Sequence, residues 1–112
     1  MTVDDPTLPE PTAHGRAWVD PGSPEVLRLA GDVDHPVVRD FTETVDDGDL
    51  VGVDVVDMAG VTFVDSSAIA LLARVLQVRT GAGLLVVDQA PDLAVFVLEV
   101  SGLAERVTIR PA

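Results

Sequence analysis

An α/β domain with a mixed β-sheet and helices packed on it is the fold class this sequence predicts. Three observations predict it. Val-rich runs of strand length recur at residues 26–30, 50–58, 84–87 and 106–109. Between them lie segments whose apolar residues repeat at helical spacing. Short junctions rich in Pro, Gly or Asp separate the two kinds of segment. The order that results is β-β-α-β-α-β-α-β, which calls for a sheet covered by helices.

The elements follow in turn. Residues 1–12 hold Pro6, Pro9 and Pro11 and three acids, with no pattern to bury, and are expected to be a flexible acidic tail. Residues 13–112 are expected to form one domain. Ala17-Trp18-Val19 reads as a short edge strand, with Trp18 covering the sheet edge or core rim. Pro21-Gly22 signals a turn. Val26 to Ala30 reads as the second strand of a hairpin, with Leu27 and Leu29 on one face.

Gly31-Asp32-Val33-Asp34-His35-Pro36 reads as a loop leading into a helix, with Asp34 a candidate cap, Pro36 near the first turn and His35 a solvated loop residue. Val37, Val38, Phe41 and Val45 repeat at helical spacing, and Asp46-Asp47-Gly48-Asp49 ends that helix. Leu50 to Met58 reads as one Val-rich strand of a sheet interior. After Val61-Thr62-Phe63-Val64, a helix is expected from Ser66 or Ser67 to about Arg79. Ile69, Leu72, Val75 and Leu76 form its apolar stripe, and Arg74 and Arg79 a solvated face. Gly81-Ala82-Gly83 stops it. A strand at 84–87, a helix from Ala90-Pro91-Asp92 to Ser101-Gly102 and a last strand at 106–109 complete the chain. The apolar stripe of that last helix, Phe96 included, is read as core.

Composition excludes several classes of function. The chain has 112 residues, enough for one core, and that core is aliphatic, since only 4% of residues are aromatic. Nineteen acids face seven basic residues, all Arg, for a formal charge of −12. Nucleic acids and anionic membranes need a basic face, so neither is an expected partner. A partner offering Arg or Lys fits. Cys is absent and His14 and His35 are far apart, so no metal centre or other cofactor is expected. The first residues lack the basic and apolar regions of a signal peptide, and no apolar run is long enough for a membrane helix. The expected setting is the cytoplasm.

Asp65-Ser66-Ser67 stands at a strand-to-helix junction. Asp and Ser cap helices there, and a helix start also tolerates a phosphoryl group. The two uses are compatible: one hydroxyl can cap while the other stays available. Two other roles for the junction fail. A phospho-aspartate receiver built on Asp65 needs a Lys, and the chain has none. A hydrolase using Ser66 needs a nucleophile motif and a base, and neither is evident. No intrinsic enzymatic activity is expected.

Four stretches resemble one family. Gly31-Asp32-Val33-Asp34 is similar to a Gly-x-Leu/Val-Asp motif after the second strand. Val56 to Ser67 is similar to a signature that ends in Asp-Ser-Ser/Thr-Gly-Leu. Gly83 to Val87 is similar to the strand that follows. Val97-Leu98-Glu99-Val100-Ser101-Gly102-Leu103 is similar to a late Leu-x-x-Ser/Thr-Gly-Leu. Together they resemble the STAS domain, named for sulfate transporters and anti-sigma factor antagonists, over residues 17–110. The bacterial anti-anti-sigma factors are the most similar members.

That resemblance implies a STAS-like fold and a mechanism. A cognate anti-sigma factor, itself a serine kinase, binds the unphosphorylated antagonist, and the sigma factor is released to act in transcription. Phosphorylation of the Ser after the Asp ends the binding. Carried over, Ser66 is the phosphoacceptor, and Asp34, Asp65, Ser66, Ser67 and Ala68 are the partner-binding positions of a monomer or weak dimer. The family pattern has Gly where Ala68 stands, and Ala70 replaces another frequent Gly. The added methyl in the first turn is expected to hinder a kinase that needs close backbone approach. A second reading within the fold is a cytoplasmic STAS subunit or accessory protein of a transporter, docked on a membrane partner and not necessarily phosphorylated.

Overall fold

The computed structural model describes residues 15–112, so the tail expected over residues 1–12, and His14, lie outside the described residues. β1 (Arg16–Val19) and β2 (Val26–Val33) form the expected antiparallel hairpin, with Val19 opposite Leu27. The mixed sheet has six strands, in the order β1-β2-β3-β5-β6, with β4 paired to β2 off that path. Every pairing except β1–β2 is parallel. Helices α1 (His35–Thr44), α3 (Ser66–Val78) and α4 (Asp92–Ser101) supply the crossovers, and α2 (Asp47–Leu50) is a single turn.

The region from residue 46 to 64 departs most from expectation. The sequence predicts the end of a helix, one long strand and a β-type run before the junction there. Instead Asp46 starts α2 with a reciprocal pair of bonds, its carbonyl accepting from the Asp49 N–H at 3.0 Å while its own N–H donates to the Asp49 carboxylate at 3.1 Å. Leu50 therefore ends a helical turn and is fully buried. β3 is only Val55–Asp57, and β4 is Val61–Val64. The turn between them places Gly60 at φ +85°, a conformation that strongly favours glycine.

β2 runs three residues further than predicted, through Gly31-Asp32-Val33. It does so because it changes partner: residues 26–28 pair with β3, and residues 31–33 pair with β4. A register shift between Gly31 and Asp32 marks the change, and Gly31 sits at φ +68°.

The core is aliphatic, as composition required. Leu27, Leu29, Val56, Leu85 and Val87 from the sheet meet Val37 and Phe41 of α1, Leu71, Leu72 and Val75 of α3, and Ala94 and Leu98 of α4. Among the described residues no polar or charged residue is buried when backbone and side chain are taken together. The buried stripe of α3 is Ala68, Leu71, Leu72 and Val75, rotated from the predicted one, so Ile69 and Leu76 lie at its edge.

Two arginines read as solvated are structural clamps instead. The Arg79 side chain is 7% exposed, pairs with Asp54 at 2.9 Å and donates to the carbonyls of Val53 and Gly83. Arg74 pairs with Asp47 at 2.8 Å and donates to the Val45 carbonyl, which ties α3 to the α1–α2 connection. A third clamp, Arg28, joins Asp20 in the hairpin turn to Asp57 at the end of β3.

Candidate functional site

The site is built by register. Val33 of β2 stands opposite Val64 of β4 in a parallel pair. Each strand ends there, and each is followed by an Asp and then a helix: Asp34 before α1, Asp65 before α3. Two adjacent parallel strands in register thus deliver two helix starts side by side. A bond from Thr62 Oγ1 to Asp32 Oδ1, at 2.6 Å, joins the two strands next to this point.

Asp65 caps α3 well. Its Oδ1 accepts from the N–H of Ser67 at 2.8 Å and of Ala68 at 3.3 Å. The capping role open to a serine is therefore filled by the aspartate. Ser66, the first helical residue, is exposed, and among the described residues its hydroxyl makes no hydrogen bond. Ser67 is half-buried, and its Oγ lies 3.4 Å from His35 Nδ1. Asp34 caps α1 through a longer bond, 3.4 Å, to the Val37 N–H. Free N–H groups and aligned peptide dipoles make both helix starts weakly positive.

Ala68 requires a correction. It is 0% exposed, so its methyl points into the core. It offers no side-chain atom to a partner and cannot stand in the way of one. Of the five positions named from sequence, Asp34, Asp65, Ser66 and Ser67 gather at the paired helix starts, and Ala68 lies beneath them. Ala70 is the exposed alanine of the pair of replacements.

A match to a family model settles the relationship. The model described as Mlab, STAS domain, covers residues 19–111. The chain belongs to the STAS domain family. No curated protein matches it. The six-stranded mixed sheet with its helices is the STAS fold expected from the sequence. Among the described residues no helix is long and apolar enough to cross a membrane.

Sequence reading missed two features of this STAS domain's site. His35 is not a loop residue; it is the first residue of α1 and faces Ser67 across the two helix starts. Only the strand register brings them together, and no local signal announces it. Phe96 is the second. Read as core, it is 61% exposed, and Val100 beside it is 72% exposed. The helix is apolar on nearly all sides, so its pattern does not say which side faces out. Both residues line a groove that also contains Asp65 and Ser66.

Proposed function

We propose that this STAS domain is an anti-sigma factor antagonist that binds a cognate anti-sigma factor with serine kinase activity and is switched off by phosphorylation of Ser66. One observation carries the reading. Asp65 takes both capping bonds, and the exposed Ser66 hydroxyl, at the first position of a 13-residue helix, makes no hydrogen bond among the described residues. A hydroxyl there is accessible to a kinase, and the helix start favours the added charge by about 0.3–1 kcal/mol.

The domain supplies no chemistry in this reading; the partner transfers the phosphoryl group. The modification adds a charge of about −1.5 to −2 to a chain already at −12. A partner that had covered the free hydroxyl must then strip water from a dianion, so it leaves. The event is local, and no large conformational change is needed.

Incubation with candidate anti-sigma kinases and ATP, followed by mass spectrometry of the peptide holding Ser66 and Ser67, tests it. One phosphate on Ser66 is expected. Ser66→Ala should bind the partner and accept no phosphate, and Ser66→Asp should fail to bind. Wild-type binding by both variants sinks the switch. The groove beside Ser66 favours a second reading, in which the domain is a standing accessory subunit of a transporter. An apolar docking face serves that role with or without modification. A stable complex whose Ser66 stays unmodified in ATP would favour it.

A further inference from the structure

α4 carries two apolar faces. Ala94 and Leu98 are buried against the sheet, while Leu93, Phe96 and Val100 stand exposed on the other side. These three recur at i, i+3 and i+7, so they share one outward stripe. An exposed stripe of large apolar residues costs solubility and marks an interaction surface. Along its edge runs a groove of about 300 Å³ between α3 and α4, lined by Val64, Ile69, Phe96, Val97 and Val100 together with Asp65-Ser66.

Charge decides the occupant. Asp65 lines the groove, and Asp92 and Glu99, one turn to either side of Phe96, are exposed on α4. There is no Lys or Arg on α4 or on the first two turns of α3. A second copy of this chain would bring the same acids and a charge of −12 against them. We infer that the α3–α4 groove receives a large apolar side chain from a segment of the partner protein that also carries Lys or Arg to meet Asp65, Asp92 and Glu99. The inference rests on the domain acting by binding a protein through the Ser66 face, and it adds how that partner is recognised.

It also explains how a modified Ser66 is read. A phosphoryl group on the groove lining attracts the partner's cations but must be dehydrated when an apolar anchor seats beside it. Desolvating a dianion outweighs a screened surface attraction, so release is the net result.

Amide-shift mapping on the ¹⁵N-labelled chain tests the groove without the natural partner. The probes are an amphipathic Lys/Leu peptide, its Glu/Leu counterpart and a Lys/Ser peptide of equal length. The Lys/Leu peptide should move the amides of residues 64–69 and 96–101. Phe96→Ser, an exposed position, should keep the fold and lower that affinity by at least about tenfold. Equal binding of the Glu/Leu or Lys/Ser peptide, shifts mapped elsewhere, or an indifferent Phe96→Ser would overturn the inference. So would shifts at 96–101 that follow protein concentration alone, which assign the stripe to a second copy. The two ideas fail separately. An unphosphorylated Ser66 with a responsive groove removes only the switch. A phosphorylated Ser66 whose kinase binds Phe96→Ser as tightly as wild type removes only the groove.

Discussion

The starts of α1 and α3 are built alike and behave differently. Each follows a strand that ends in Val, each is capped by the Asp that comes next, and the register of β2 against β4 sets them abreast. After Asp34 come His35 and Pro36; after Asp65 come Ser66 and Ser67. Proline at the start of α1 removes an N–H that would otherwise be offered. The Asp34 cap is long at 3.4 Å, whereas Asp65 makes a 2.8 Å bond and a second at 3.3 Å. Backbone architecture therefore makes two equivalent helix starts, and side chains alone decide that only one presents hydroxyls. The proposed function thus rests on two residues placed on a duplicated frame.

The comparison can be broken at its support. Leu72, on the inner face of α3, is fully buried, and Leu72→Ala should cost about 2–5 kcal/mol. Urea denaturation should show the loss, and His35–Ser67 proximity, read by NMR, should vanish with the docking of α3. A smaller change tests the family residue. Ala68→Gly restores the usual glycine but gives up helix propensity of about 1 kcal/mol and burial of one methyl worth about 0.8 kcal/mol. A stability loss of about 1–2 kcal/mol is expected, with partner affinity unchanged because the methyl faces inward. A gain in affinity would mean the first turn is read through its backbone.

The two caps sharpen the contrast further. Asp65→Ala should cost about 1 kcal/mol and Asp34→Ala about 0.5 kcal/mol, ordered by the bonds each makes; equal costs in thermal melts would show that the two starts are energetically the same. The smallest effect lies away from both. Asp20 accepts from Arg28 Nε at 2.7 Å, and this bond first, then one from the Gly22 N–H, holds its carboxyl below the usual carboxylate range. A lowered folded pKa stabilises above the unfolded pKa, and the contribution is lost as pH falls through the folded value. The stability gap between wild type and Asp20→Asn should therefore close on acidification below about pH 4, measured by denaturation at stepped pH. A gap independent of pH would assign Asp20 to turn geometry alone.

Local chemistry explains why part of this was legible in the sequence. Asp34 and Asp65 signalled caps, Pro21-Gly22 a turn, and Gly102, found at φ +85°, the end of α4. Each is decided within a few residues. The β-type run at Val61–Val64 was legible as well, and is β4, but the stretch from Asp46 to Gly60 was not, because its valines serve equally in a loop core and in a strand. Val53 is fully buried yet lies in no strand. The clamps of Arg74 and Arg79 reach partners more than 20 residues away, to Asp47 and Asp54. The meeting of His35 with Ser67 spans 32 positions and depends wholly on sheet register. The outward turn of Phe96 depends on which side of α4 the sheet takes.

Trp18 gives the hairpin a practical consequence. It is the chain's one tryptophan, placed on β1 with the Arg16 guanidinium 4.3 Å above its ring. Its fluorescence is therefore an optical gauge of the outer hairpin, spectrally separate from every serine, histidine and phenylalanine at the helix starts. Emission that stays constant while a partner binds would locate the whole event on the α3–α4 side. Emission that changes would reveal transmission across the sheet, detected without attaching any dye.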